Sequence, residues 1–137
     1  MPGAPVTVLQ RVPLFADLSK REAQQIARLF KQRRFAEGET VVKEGSGGAA
    51  FFLIESGQAM VTVGGKKRGT LNPGDYFGEI ALIDEGARMA TITALSELAC
   101  YGLTYWEFRP LVQENGAIGW KLMQSLAKKL REAQQGD

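Results

Sequence analysis

Apolar and polar positions along this chain fall into three regimes. Near the N-terminus, Ala23, Ile26, Ala27 and Phe30 recur at three- and four-residue spacing, the period of a helix with one buried face. Ser19 precedes them, with Glu22 three residues on, a capping-box pattern that predicts where that helix starts. The N-terminal helical segment is expected over about 13–33, ended by "KQRRF". From about 34 to 106 the pattern shortens to the runs "TVVK", "AFFLI", "AMVTV", "TITAL" and "ACYGLTY". Between them lie "EGE", "EGSGG", "ESG", "GG" and "NPGD", each with a glycine suited to a turn. Short strands closed by tight turns predict a small barrel or jelly roll.

From about 105 to 135 the helical period returns. "YWEFRPLVQEN" predicts a short helix, interrupted at Pro110 or starting near it. "AIGWKLMQSLAKKLREAQQ" predicts a longer one, in which Ile118, Leu122, Leu126 and Leu130 repeat every four residues. Met123 and Ala127 widen that stripe, and Lys121, Lys128, Lys129, Arg131 and Glu132 populate the other face. The stripe is expected to pack on the chain's own barrel. Met123, Leu126, Leu130 and Ala133 also keep a three-four spacing that a second copy could meet, giving a homodimer through the last helix. The expected fold class is mainly β with flanking helices: a β-jelly-roll barrel with an N-terminal helix and two C-terminal helices, forming a single domain over 1–137.

Composition narrows the function. A chain of 137 residues, 45% hydrophobic and 23% charged, fits one globular domain. Its apolar runs are shorter than a membrane span, and its opening lacks a signal-peptide pattern. Cys100, the one cysteine, sits in an apolar strand-like run and reads as buried and inert. A lone cysteine makes no internal disulfide, so a cytoplasmic location is expected. The net charge of +2 is too small to argue for nucleic acid, and Lys66-Lys67-Arg68 reads as a solvated hairpin tip. There is no histidine, which excludes the usual Ser-His-Asp and Cys-His nucleophile systems and imidazole metal sites. No catalytic residues, no metal and no enzyme activity are expected. "GSGGAA" at 45–50 lacks the following helix that a dinucleotide fingerprint requires, and "GGKKRGT" lacks the phosphate-loop pattern.

The stretch "FGEIALIDEGARMAT", Phe77 to Thr91, carries the chemistry. Gly78 permits close backbone approach or an unusual angle. Glu79–Leu82 is compatible with a single helical turn whose first N–H groups point outward unpaired, helped by the turn's dipole. Arg88 can return to the same place through the "DEG" turn with a forked cation. A carboxylate beside an anion site makes sense when the ligand carries both a phosphate charge and a neighbouring hydroxyl, as a ribose cyclic phosphate does. The residues alone also allow a plain Glu79–Arg88 salt bridge across a turn.

"FGEIAL" followed by "RMAT" resembles the phosphate-binding cassette of the cyclic-nucleotide-binding domain family, at the spacing of protein kinase A regulatory subunits. The resemblance extends through "PLFADLS", "GETVVKEG", "FFLIESGQAMV" and "LNPGDYFGE". "YWEFRPLVQENGAIGWKLMQSLAKKL" is similar to the hinge and dimer helices of the catabolite activator protein group. The resemblance implies a stand-alone bacterial-type domain that binds cAMP, with cGMP the competing ligand. Phe77 and Gly78 would open the site, Glu79 would hold the ribose 2′-hydroxyl and Arg88 would pair with the cyclic phosphate. Backbone N–H groups of Ile80, Ala81 and Ala90 or its neighbour would complete the cradle, and Val61 and Leu71 would line the sugar and base. The chain departs from the family pattern in two places. Met89 stands where cGMP-selective members tend to carry Thr or Ser, and Ala133 and Gln134 stand where hydroxyl residues reach adenine. A lid from Leu130 or Arg131 is expected instead. The implied function is a regulatory module relaying occupancy through its C-terminal helices to an unidentified downstream protein. A nucleotide-free interaction domain of the same fold is the alternative. No DNA binding by this chain and no membrane contact are expected.

Overall fold

A computed structural model of the chain describes residues 3–46, 50–84 and 88–135. Its centre is a pair of four-stranded antiparallel sheets, the jelly-roll architecture expected from the strand pattern. The first sheet has the order β1 (Lys31–Phe35), β8 (Leu98–Thr104), β3 (Ala50–Ser56), β6 (Tyr76–Phe77). The second has the order β2 (Thr40–Val42), β7 (Thr91–Ala94), β4 (Ala59–Val63), β5 (Lys66–Leu71). Helices α1 (Val6–Leu9) and α2 (Lys20–Ala27) precede the strands, and α3 (Tyr105–Glu114) and α4 (Gly116–Gln135) follow them.

β3 explains how the two parts are joined. Its side chains alternate between faces, and both faces are buried. Phe52 and Ile54 point into the barrel, against Phe35, Ile92, Leu98 and Cys100. Phe51 and Leu53 point the other way, into a core shared with Phe15, Ile26, Phe30, Phe108, Ile118 and Leu122 from the helices. Phe51 lies 5.9 Å from the Phe15 ring and 5.8 Å from the Phe30 ring, spacings at which tilted aromatic pairs attract. The apolar run "FFLI" is therefore the common wall of two cores.

The helices bear out their caps. Ser19 and Glu22 form the capping box of α2, and Thr104 and Glu107 form a second one that opens α3. α4 is pinned to the N-terminal segment by Lys121 on Glu22 at 2.7 Å and by Lys128 on Asp17 at 3.4 Å. Between those lysines, Leu122 and Ser125 are buried.

Three local expectations change. "KQRRF" is not the end of the first helix, which stops at Ala27: it is strand β1, paired with β8 from Lys31↔Gly102 to Phe35↔Leu98. Four of its five residues are exposed, as suits a charged edge strand, and only Phe35 anchors it inward. The hairpin tip is Gly64-Gly65, both with positive φ, while Lys66, Lys67 and Arg68 lie on the edge strand β5. Pro110 neither starts nor breaks α3 but sits inside it. It forfeits only the bond that residue 110 would give to the carbonyl four residues back. Two sequence readings fall partly outside the described residues: 47–49 of "GSGGAA" and 85–87 of the turn between Asp84 and Arg88.

Candidate functional site

β6 delivers the chain to the site. Its pairing with β3, Phe52↔Phe77 and Leu53↔Tyr76, stacks the Phe77 ring on Phe52 with centroids 5.2 Å apart. Gly78 then takes φ +84°, in the left-handed region. A Cβ there would also fall 2.6 Å from the Ala50 carbonyl oxygen and 2.6 Å from Arg88 Nη1, so the position excludes a side chain on two separate grounds.

The reversal at Gly78 starts a short 3-10 turn, Glu79–Leu82. Ala81 and Leu82 are buried and hold the turn down, while Ile80 and Ile83 are about half exposed. The Ala81 N–H donates to the Gly78 carbonyl at 3.0 Å. The donors left at the head of the turn are then those of Glu79 and Ile80.

Arg88 comes back to this turn from the far side. Its backbone is tied to the β2–β3 connection: Arg88 N–H donates to Ser46 O at 2.9 Å, and Gly45 N–H donates to Arg88 O at 2.8 Å. The side chain is half-buried, and its Nη2 donates to the Ala50 carbonyl at 2.6 Å. Nε is buried and has no partner among the described residues. Burial pulls the guanidinium's pKa down from its ordinary value, but arginine stays protonated. No carboxylate of the described residues pairs with it. The Glu79–Arg88 salt bridge that the sequence allowed does not form. Glu79 instead faces Lys129 of α4, with Oε1 and Nζ 3.8 Å apart.

These groups surround a cavity of about 330 Å³. Phe77, Gly78, Glu79, Ile80, Ala81, Arg88, Met89 and Ala90 line it, so eight positions of the sequence-read site lie on one concavity. Val42, Asp84 and Ile92 complete the lining and were not read from the sequence. Val42 and Ile92 are register partners on β2 and β7, and period-2 alternation on "TVV" and "TIT" was the available signal. Val61 and Leu71 lie one strand or more away, half-buried against the barrel core, and Val61 pairs with Ile92. Leu130 and Arg131 are exposed rather than folded over the cavity. Lys129 takes the inward position between the exposed Lys128 and Leu130, and its spacing of four from Ser125 and seven from Leu122 was the signal that could have found it.

Next to the cavity runs a second, apolar concavity of about 280 Å³, lined by Leu82 and Ile83 from the turn, Phe108 and Val112 from α3, and Leu122 and Met123 from α4. The site's turn and the C-terminal helices thus share a boundary.

A jelly roll with a concavity that combines a glycine reversal, a carboxylate and a guanidinium without a carboxylate partner among the described residues has the chemistry to accept a compact anion bearing a hydroxyl. A family model for the cyclic nucleotide-binding domain matches residues 32–115. The chain is similar to the cAMP-dependent protein kinase regulatory subunit of Yarrowia lipolytica, with 41% identity over 92 residues, covering 66% of this chain and 24% of that protein. It is also similar to the cyclic AMP receptor protein of Thermus thermophilus, with 31% identity over 126 residues, covering 88% of this chain and 58% of that protein. Among solved structures, the N-terminal domain of a transcriptional regulator from Streptomyces coelicolor A3(2) superposes with a TM-score of 0.85 at 25% identity, covering 94% of both chains. The chain belongs to the cyclic nucleotide-binding domain family. It spans 24% of the yeast regulatory subunit's length and 58% of the bacterial receptor's.

Proposed function

We infer that this chain is a single regulatory domain over 1–137 that binds cAMP in the cavity around Gly78 and passes occupancy to a partner through α3 and α4. The observation that supports this most is Arg88: a half-buried cation with an idle Nε and no carboxylate partner among the described residues. Burying a charge without an opposite charge is costly, and an anion that accepts from the guanidinium fork offsets the cost. The cyclic phosphate would be that anion. Glu79 would accept from the ribose 2′-hydroxyl, and the Glu79 and Ile80 N–H groups would supplement Arg88. Met89, 86% exposed at the rim, offers no hydroxyl to a guanine amino group, which favours cAMP over cGMP.

The relay has a physical route. Leu82 belongs to the same core as Phe108, Ile118 and Leu122. Closing the turn on a phosphate would move side chains against which α3 and α4 pack. A ligand changes such an arrangement only through different affinity for the two placements. The partner would read α4, whose exposed Trp120, Met123, Ala127 and Leu130 follow heptad spacing and would also serve a homodimer. We read the chain as a binding module without catalytic residues. No helix among the described residues is long and apolar enough to cross a membrane, and with its single buried cysteine the chain suits a cytoplasmic setting. Calorimetric titration with cAMP and cGMP tests the reading: saturable binding with cAMP the tighter is expected, and no heat with millimolar cAMP would refute it.

A further inference from the structure

We propose that the apolar concavity between the site's turn, α3 and α4 is a second ligand site, one that takes a small amphiphilic carboxylate with a short aliphatic or aryl tail. This goes beyond the cyclic-nucleotide reading and does not depend on it.

The floor of the concavity is preformed. Leu82, Phe108 and Leu122 line it and are buried in the helical core, which fixes their places. The two helices touch at Gly119, where an added Cβ would lie 3.2 Å from Val112 Cγ1. Beyond that contact about 280 Å³ stays open, at the low end of the roughly 300–1,000 Å³ of small-molecule pockets. The walls are apolar yet face water: Ile83 is 43% exposed and Met123 is 55% exposed. Covering such side chains is favourable in proportion to the apolar area removed from water. Size and lining together call for a short apolar tail.

Charge selects the head group. Arg109 and Gln113, one turn apart on the same face of α3, are the polar side chains of the lining. The Arg109 guanidinium lies over the Tyr105 ring, 5.8 Å from its centroid, a cation–π placement that keeps it at the rim. No carboxylate of the described residues pairs with it, and no acidic residue lines the concavity. The nucleotide cavity differs, because Glu79 and Asp84 line it. A guanidinium presents its donors as a fork that matches a carboxylate, and Gln113 adds an amide N–H. The turn divides the two sites: Ile80, Ala81 and Asp84 line the nucleotide cavity, and Leu82 and Ile83 line this one. Methyl groups on its two sides therefore report which site a ligand enters.

The test titrates octanoate and its isosteric amide, octanamide, into the whole chain and follows methyl groups by NMR. Octanoate should saturably shift the methyls of Ile83, Val112, Met123 and Leu126, with a Kd of about 1 mM or tighter, which a ligand of about ten heavy atoms reaches at ordinary efficiency. Octanamide keeps the tail and loses the charge, so it should bind about two- to five-fold more weakly, the range for a solvent-exposed charge pair. Added salt should narrow that gap. Arg109→Met should remove it while leaving octanamide binding within about two-fold. Met123→Glu should weaken octanoate more than octanamide, because it sets a like charge at the rim. Equal affinities of the two ligands for the wild-type chain would leave a plain apolar groove and overturn the proposal, as would no saturable shift at about ten times the expected Kd. Shifts centred on Met89 and Ala90 would place the anion against Arg88 instead, and shifts that follow protein concentration without octanoate would place a second copy of the chain there; either result overturns the proposal. A chain that binds octanoate but not cAMP would refute the nucleotide reading and leave this one standing. Melting curves on each variant separate misfolding from lost binding, and Arg109→Gln serves as the second neutral variant if Arg109→Met does not fold.

Discussion

Arg88 and Ala50 meet at the cavity: the guanidinium Nη2 donates to the Ala50 carbonyl at 2.6 Å, across 38 residues of chain. The charge is thus aimed by a backbone oxygen, with no carboxylate partner among the described residues, which leaves it available to a ligand. Removing it should leave the phosphate poorly paired. Arg88→Ala is expected to cost about 2–5 kcal/mol of cAMP binding, the range for truncating one partner of a buried charge pair, or roughly thirty-fold to several thousand-fold in Kd. Calorimetry on both proteins checks it.

The same carbonyl limits what position 78 can be. Gly78→Ala would place a Cβ 2.6 Å from both Ala50 O and Arg88 Nη1, at a φ of +84°. The backbone term alone costs about 1–2 kcal/mol, and the overlap with a backbone oxygen adds to it. We expect a lower Tm together with weaker cAMP binding, read by a melting curve and a titration on the same sample. An unchanged Tm would mean that the turn has another conformation open to it.

Met89 stands at the rim, 86% exposed. Met89→Thr should narrow the preference for cAMP over cGMP, because a hydroxyl there can accept from the guanine amino group. One such bond contributes about 0.5–1.5 kcal/mol, or roughly two- to ten-fold. Competition binding with the two nucleotides measures the ratio.

Hydrogen exchange tests the relay. With cAMP, protection should rise at 78–91 and change along 117–135, since Leu82 shares its core with Ile118 and Leu122. A ten-fold shift in the population of α4 placements needs about 1.4 kcal/mol of differential affinity. Protection confined to 78–91 would describe a binder whose last helix carries no signal.

Acid should loosen α4. The Lys121 ammonium, followed by the Ser19 N–H, holds the Glu22 carboxyl below its ordinary value near 4.5. A depressed carboxyl contributes stability that is present above the unfolded pKa and is lost as pH falls through the folded one. Tm should hold from neutral pH down to about 5 and then decline, and Lys121→Met should flatten that decline. The measurement is a series of melting curves from pH 7 to pH 3.

Four of the five strands that the sequence made legible are internal to their sheets, and the fifth, β2, is an edge marked by the apolar pair Val41 and Val42. β3, β4, β7 and β8 each carry an apolar run, and each is internal to its sheet. β1 and β5 are edges, and their exposed lysines and arginines are ordered by ladder hydrogen bonds that leave no period-2 mark in the sequence. β6 has two residues, too few for any period. The cavity divides in the same way. Phe77–Ala81 and Arg88–Ala90 lie in one contiguous motif, whereas Val42 and Ile92 reach the cavity through the register of separate strands, and Lys129 faces Glu79 through the rotation of α4. A step of one residue turns a helix by about 100°, which is the difference between the expected Leu130 and the inward Lys129.

Cys100 has a practical consequence. The thiol is enclosed between the sheets, and burial pushes its pKa up to about 12. At pH 8 roughly one in ten thousand such groups would be thiolate, the form that reacts with alkylating dyes. The wild-type chain therefore supplies a silent background for site-specific labelling. A cysteine introduced at Gln124, on the exposed side of α4, would take a dye or spin label alone, and the helix could be followed directly without first removing the native thiol and disturbing the barrel core around it.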